Sequence, residues 1–404
     1  MVRAMLAATA AGEGTVEQLL ELARRHLEMD VAFVSQFTDG RQVYRAVDGD
    51  GEFFGILPGD GPVLGGTICR RMIDGDIPQV IPDAAADVRV GTLRTTREMG
   101  IRAYIGVPLV LPGGRLYGTL CCLARRASST LGRRDVRFLE LLADLLVGQL
   151  AAEVHEQEAH DRIARVIESR DLTMAAQPIV SLRDGRCVGM EALARFPAAM
   201  GAPDVVFGAA HRAGLGPALE RLAGREAFGL MPLLAPEQYL GINMSPEAAL
   251  VLAPVLDPDL APPLHRLVLE ITEHAEVDSY ATLGEALRPL RDGGLRLAID
   301  DAGAGYASLR HVIELQPDII KIDRSLVHGL AEDRARRRIV SNFVLLARDL
   351  QATVVAEGVE VPADLTAIRD LGVDAAQGNL VARPTTDHDE LSRWTSPLTT
   401  LRLR

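Results

Sequence analysis

The chain has 404 residues, of which 48% are hydrophobic, enough for two packed cores and too many for a disordered segment. Its 43 basic residues are outnumbered by 55 acidic ones, a net charge of -12, with no basic tail or stripe to offset them. That balance excludes non-specific attachment to nucleic acid or acidic lipid, but it is compatible with a small anionic substrate wherever bound divalent cations invert the local field.

The opening MVRAMLAATAAGEG carries one Arg and a short apolar stretch, too short for a spanning helix. From about Gly14 to Asp30 the apolar spacing is helical. Short strands then follow in VAFVSQF, RQVYRAV, PQVIP, RAYIGVPLV and RLYGTLCCLA, separated by Gly- and Asp-rich turns. Gly113 and Gly114 read as the hairpin joining the last two. This half is expected to be α+β, one antiparallel sheet with helices on one face. The four cysteines, Cys69, Cys121, Cys122 and Cys187, form no CxxC pair and have no His at zinc-ligand spacing. They fit a reducing cytoplasm, and a lone buried Cys such as Cys69 reads as a small apolar residue.

A long helical pattern begins at Asp135, with Phe138, Leu141, Leu142, Leu145, Leu146 and Leu150 in one stripe, and runs on to about Ser169. Acids recur through FLELLADLLVGQLAAEV, so the helix is amphipathic and no membrane span is expected. It divides the chain into an expected first domain at 1–134, a helical linker at 135–169 and a second domain at 170–404. An apolar stripe of this length either pairs with the same helix of a second subunit, giving a homodimer, or packs on its own domain.

After Leu172 strand and helix patterns alternate, which implies a parallel sheet with crossover connections. The strand-like runs are LTMAAQPIVSL, RCVGMEALARF, YLGINMS, RLVLEITE, LRLAID, IIKID, TVVAE and DAAQGNL. About eight such units close a barrel, an α/β architecture of the TIM-like kind. Polar residues sit at the ends of these runs: Glu191, Asn243, Glu270, Asp300, Asp301, Lys321 and Glu357. Side chains at the C-terminal ends of barrel strands converge on one rim, so acids placed there repeatedly imply one shared site. Carboxylates with an Asn carbonyl are hard oxygen donors that suit Mg²⁺ or Mn²⁺, and like charges so gathered call for cations among them. Asp300 and Asp301 together could serve two ions, the usual device for activating water against a phosphodiester. Lys321 beside them can orient or deprotonate that water, or simply pair with Asp300 or Asp323.

From about Leu172 to Arg393 the motifs QPIV, EALAR, INMS, LEITE, AIDDAGAGYASL, IIKIDRSLV, VVAEGVE and AQGN occur in the order of the EAL-domain family of cyclic di-GMP phosphodiesterases, which the chain resembles. The resemblance implies a barrel whose first strand runs antiparallel, and hydrolysis of cyclic di-GMP to linear pGpG with Mg²⁺ or Mn²⁺. It assigns Glu191, Asn243, Glu270 and Asp300 to a first metal, and Asp300, Asp301 and Glu357 to a second. By the same resemblance Lys321 activates water, Gln177, Arg195 and Gln377 lie near substrate, and Glu273 steadies the loop after Asp301. Residues from about Gly14 to Arg126, with PQVIPDA and YIGVPLVLPGGRLYGTLCC, resemble a GAF domain, a sensory or dimerising module whose ligand here is unknown.

The departures lie beside the catalytic set. Where the family usually has DDFGTGYSSL, Ala302, Ala304 and Ala307 replace a Phe, a Thr and a Ser. Asn379 stands where a Tyr is usual, and Phe196 where a Trp is. A looser loop after Asp301 is the expected consequence, with weak turnover or a cyclic di-GMP receptor as the alternative to an active enzyme.

Overall fold

The computed structural model describes residues 15–250, 263–272, 279–303 and 308–395. They belong to two units, Met1–Glu156 and Gln157–Arg404. In the first unit α1 (Val16–His26) starts at a capping box: Gln18 N donates to Thr15 Oγ1 and Thr15 N to Gln18 Oε1. Glu17 lies in its first turn and Arg24, Arg25 and His26 in its last, charges that suit the helix dipole.

The sheet of this unit is antiparallel, in the order β2 (Arg41–Gly49), β1 (Val31–Thr38), β5 (Leu116–Ala124), β4 (Ala103–Val110), β3 (Val80–Ile81). Between β4 and β5, Gly113 and Gly114 have φ of 86° and 83°, the left-handed backbone that the expected hairpin turn requires.

Alternate residues of the sheet feed separate cores. Ala32, Val34, Ile105, Val107, Leu120 and Cys122 pack with α1 and with the start of the helix Arg133–Ser169. Val31, Phe33, Tyr104 and Cys121 pack instead under Phe54, Ile56, Ile68 and Met72. The last group comes from two short helices, α2 (Gly51–Phe54) and α3 (Ile68–Ile73), and their loops. Helices therefore cover both faces of the sheet, not one. The sequence hid this because helices of four and six residues are too short to show a period.

A five-residue helix, α4 (Arg94–Glu98), precedes β4. The long α5 (Arg133–Ser169) buries Leu139, Leu142, Leu146 and Leu150 against the sheet of its own unit and leaves Leu141 62% exposed. Its last turns belong to the second unit, where Ile163 and Val166 cluster with Val206, Leu219 and Leu222. Among the described residues no helix is long and apolar enough to cross a membrane.

The second unit is a closed barrel of β6 (Thr173–Ser181), β7 (Cys187–Arg195), β8 (Tyr239–Met244), β9 (Leu267–Thr272), β10 (Arg296–Ala302), β11 (Ile319–Ile322), β12 (Thr353–Ala356) and β13 (Ala375–Ala376). β6 runs antiparallel to both neighbours, β7 and β13, and every other pairing is parallel. The expected fold classes, α+β and then an α/β barrel with one antiparallel strand, are those observed. Helices α6 (Pro203–Arg212), α7 (Gly216–Ala227), α8 (Pro246–Leu250), α9 (Tyr280–Asp292), α10 (Ser308–Leu315), α11 (Arg324–Val327), α12 (Arg334–Leu350), α13 (Pro362–Asp370) and α14 (His388–Trp394) complete the described elements. The main core lies between strands and helices, through residues such as Leu240, Ile242, Leu269, Ile299, Ile320, Val340 and Val344.

The lumen is plugged by a second apolar cluster, Ile179, Tyr239, Val268, Ala298, Ile319, Val355 and Ala375. Side chains of a strand alternate between its faces, so a step of two residues toward the C-terminal rim keeps the inward direction. From Val268, Ala298, Ile319, Val355 and Ala375 that step arrives at Glu270, Asp300, Lys321, Glu357 and Gln377. On the antiparallel β6 the same rim lies in the opposite chain direction, and Ile179 leads to Gln177. The polar layer therefore rests directly on an apolar floor.

Candidate functional site

Glu191, Glu270, Asp300, Lys321, Gln177 and Gln377 are all buried. Lys321 Nζ is at the centre, 2.5 Å from Glu270 Oε2, 2.6 Å from Glu357 Oε1, 2.8 Å from Asp300 Oδ1 and 3.3 Å from Glu191 Oε2. It does not single out Asp300 or Asp323, the two partners its sequence position suggested. Burial alone would lower the Lys321 pKa, but Asp300, Glu191, Glu270 and Glu357 outweigh it, and the ammonium holds its proton well above the usual range.

The carboxylates respond in the opposite direction. Burial pushes Glu270 up to about 8, with Lys321 opposing and Glu191 and Asp300 adding to the rise. Glu357 is raised well above its usual value, chiefly by burial and then by Asp300. Asp301 rises to about 6, through burial first and then the charges of Asp300 and Asp323. One ammonium is too little positive charge for this layer, which is the electrostatic condition of a cation site.

Two local devices set the geometry. Gly241 stands on β8 opposite Glu191, and a Cβ there would lie 2.0 Å from Glu270 Oε1, so only glycine admits that carboxylate. On β10 the register against β11 shifts between Ile299 and Ala302, and Asp301 has φ 55°. A regular strand would send Asp300 and Asp301 to opposite faces; the bulge and the left-handed residue turn both toward the rim. Consequently Asp300, Asp301 and Glu357 offer oxygens within 4.8 Å of one another, as do Glu191, Glu270 and Asp300.

Asn243 Nδ2 donates to Glu191 Oε1 at 2.6 Å, while its own buried Oδ1 has no hydrogen-bond partner among the described residues. An orphaned carbonyl oxygen beside two carboxylate groups is the donor a hard divalent cation takes. The residues present therefore fit Mg²⁺ or Mn²⁺. Gln377 Nε2 donates to Glu191 Oε2 at 2.6 Å and to Gln177 Oε1 at 2.9 Å, and Gln177 Nε2 to Ala382 O at 2.9 Å. The two glutamines thus fix the Glu191 carboxylate from the side opposite Asn243. Arg195 ends β7 half-buried beside a cavity of about 310 Å³ that Met174, Phe207, Asn243 and Asp300 also line. Glu273 and residues 304–307 lie outside the described residues.

One contributor escaped the sequence reading. The buried Glu220 of α7 accepts from Ser245 N and Ser245 Oγ, both at 2.7 Å, and its other oxygen lies 2.6 Å from His211 Nε2. Ser245 follows Asn243 by two residues, so Glu220 ties down the turn that carries that ligand. The available signal was a lone acid among the apolar residues of GPALERLA, at a position whose helical neighbours Leu219, Leu222 and Ala223 are core.

The EAL domain model matches residues 160–384, over half of the chain, and the GAF domain model residues 12–150. The probable cyclic di-GMP phosphodiesterase PdeB of Escherichia coli is 32% identical over 281 residues, 64% of this chain and 52% of that protein. The cyclic di-GMP phosphodiesterase NbdA of Pseudomonas aeruginosa is 29% identical over 305 residues, 71% of this chain and 38% of that protein. The chain thus spans about half the length, or less, of these curated relatives. Among solved structures, the c-di-GMP complex of the PaMucR phosphodiesterase is 28% identical with a TM-score of 0.50, covering 58% of this chain and 99% of that one.

Proposed function

The chain belongs to the EAL-domain family, and from that premise we propose that it is a metal-dependent phosphodiesterase that opens one phosphodiester of cyclic di-GMP to give linear pGpG. The observation that carries this reading is the buried layer of Glu191, Asn243, Glu270, Asp300, Asp301 and Glu357 around Lys321, with the Asn243 oxygen left free. Names of relatives such as PdeB and NbdA support the substrate.

In this reading Glu191, Asn243, Glu270 and Asp300 hold a first Mg²⁺ or Mn²⁺, and Asp300, Asp301 and Glu357 a second. When bound, the ions supply positive charge that polarises the phosphoryl group and acidifies a water molecule. Lys321 keeps its proton and directs it at the attacking water, as a donor that orients the oxygen lone pair toward phosphorus. Arg195 pairs its guanidinium with phosphate oxygens at the mouth of the adjoining cavity, a geometry suited to bidentate bonds. Gln377 and Gln177 hold Glu191 in place, and the apolar floor beneath excludes bulk water from below. Glu273 is assigned, by the resemblance alone, to support of the loop after Asp301.

The N-terminal unit acts in this account as the sensor, biasing a homodimer through α5 and thereby the loop after Asp301. Residues 1–134, 135–169 and 170–404 are then sensor, linker and catalytic barrel of a cytoplasmic protein. A second reading, a receptor that binds cyclic di-GMP without cleaving it, is favoured by Ala302, Ala304 and Ala307 in that loop. Measuring nucleotide binding and turnover on the same metal-replete sample separates the two: binding with product supports the enzyme, and binding without product the receptor.

A further inference from the structure

Among the cysteines, all free and buried, Cys69 and Cys121 lie with their sulfurs 3.4 Å apart. Cys121 belongs to the sheet strand β5 and Cys69 to the first turn of α3, so the two thiols join different elements of the first unit. Cys122 is excluded from this pair by the alternation of the strand. It sits in the core on the opposite face, with α1 and the start of α5. Cys187 belongs to the barrel, where its Sγ donates to Gly189 O.

Within the apolar core of this face a few polar groups converge on the pair, which an inert structural cysteine does not require. Gln42 Nε2 donates to Cys69 Sγ at 3.2 Å, and the nearby Thr119 and Tyr104 hydroxyls help to hold the Cys69 pKa down. The Tyr104 hydroxyl is 3.6 Å from Cys121 Sγ as well. Gln42, Tyr104 and Thr119 are themselves buried, and Gln42 Oε1 has no hydrogen-bond partner among the described residues. Space for this group is made by Gly106, opposite Cys121 on β4: a Cβ there would lie 2.3 Å from the Tyr104 hydroxyl and 2.7 Å from Cys121 Sγ.

We propose that Cys69 and Cys121 are a redox-active dithiol, oxidised by hydrogen peroxide to an internal disulfide between α3 and β5. The Cys69 sulfur attacks the peroxide oxygen, the O–O bond breaks, and Cys69 becomes a sulfenic acid as hydroxide leaves and takes up the thiol proton to form water. The Cys121 sulfur then attacks the sulfenic sulfur, the S–O bond breaks, and a second water leaves with the Cys121 proton. Two thiols and one peroxide give one disulfide and two waters, and a small thiol reductant reverses the change. The sulfurs must approach from 3.4 Å to the bond length of about 2.05 Å, a movement within the reach of side-chain rotation.

The two cysteines divide the roles asymmetrically. Donors around Cys69, the Cys121 thiol foremost, hold it below the usual thiol range against the effect of burial. Burial, followed by the Cys69 contact, pushes Cys121 well above that range. This is the division between an attacking and a resolving sulfur.

The experiment exposes the full chain to hydrogen peroxide, quenches free thiols with an alkylating reagent, and maps cross-linked peptides by mass spectrometry before and after dithiothreitol. The expected result is a reducible link between the peptides containing Cys69 and Cys121, lost about tenfold or more in Cys69→Ser and in Cys121→Ser and kept in Cys122→Ser. Gln42→Leu, which removes a donor and leaves both sulfurs, should slow the reaction severalfold. The proposal is overturned if no link forms, if Cys69 is instead carried to the sulfinic acid in the wild-type chain, or if the link survives in Cys121→Ser. Since the two single-serine variants could fail to fold, Cys122→Ser and the kinetics of Gln42→Leu keep the test independent of them.

Discussion

Lys321 Nζ lies 2.5 Å from Glu270 Oε2 across the intervening strand β10, and the two residues are each about 1% exposed. Buried charge pairs are costly to break because the surviving partner stays desolvated. Here the survivors would be Glu191, Glu270, Asp300 and Glu357 together. Lys321→Met, which keeps the packing volume, should destabilise the metal-free protein by about 3–5 kcal/mol. Mg²⁺ should restore part of that stability without restoring turnover. Denaturant unfolding in EDTA and in Mg²⁺ measures both; equal stability of variant and wild type in EDTA would refute the central role of the lysine.

A pH dependence follows from the same layer. Glu270 is raised from its usual 4.5 to about 8, and Asp301 from 3.8 to about 6. A carboxylate whose folded pKa is raised binds more protons folded than unfolded, so stability falls as pH rises from the unfolded value to the folded one. Glu357 acts in the same direction, while Lys321, raised above its own usual value, stays charged through the window and adds no slope. Metal binds the deprotonated forms. The rise in melting temperature caused by Mg²⁺ or Mn²⁺ should therefore grow between about pH 5 and pH 8, and thermal melts with and without metal will read it. An increment independent of pH would contradict the assignment.

Gly241 offers a steric test. In Gly241→Ala the new methyl group meets the Glu270 carboxylate, not the core, so the barrel should stay folded while the half-saturating metal concentration rises about tenfold or more. Circular dichroism with a metal titration of turnover distinguishes this from global unfolding. Unchanged metal dependence would mean that Glu270 is not held where the structure has it.

Glu220 tests the support behind Asn243. Glu220→Ala leaves the Ser245 N–H without its acceptor, at a cost of about 1–3 kcal/mol, and frees the turn that carries the ligand. Metal affinity should fall about 10–100-fold, the usual effect of removing such a partner. Isothermal titration with Mn²⁺ checks it, and a loss of stability with no loss of affinity would reduce Glu220 to a packing residue.

The barrel and its acids were legible because lumen and rim obey one period. Val268 to Glu270, Ala298 to Asp300, Ile319 to Lys321 and Val355 to Glu357 are each a two-residue step, visible as apolar runs that end in a polar residue. Asp301 was legible as an acid but not as a neighbour of Asp300 in space. Its left-handed backbone arises from a register shift against β11, a pairing that no local pattern encodes. The layout of Lys321 among four carboxylate groups was hidden for a similar reason, since its partners come from four other strands or strand ends. Glu220 was missed because a helical acid reads as a solvated face unless the tertiary structure buries it. In the first unit the expected stripe on α5 is buried in part, with Leu141 left exposed. Leu142, Leu146 and Leu150 are covered by the sheet of their own unit, which sequence spacing does not distinguish from a partner helix.

The most direct measurement is to incubate the purified chain with cyclic di-GMP in Mg²⁺ or Mn²⁺, resolve the products by chromatography, and repeat with EDTA and with Glu191→Ala. The account predicts linear pGpG in the metal-replete wild type, none in EDTA, and none from a Glu191→Ala variant that retains the wild-type fold. Cyclic di-GMP recovered intact from metal-replete, folded wild type, or product formed equally well in EDTA, would contradict it.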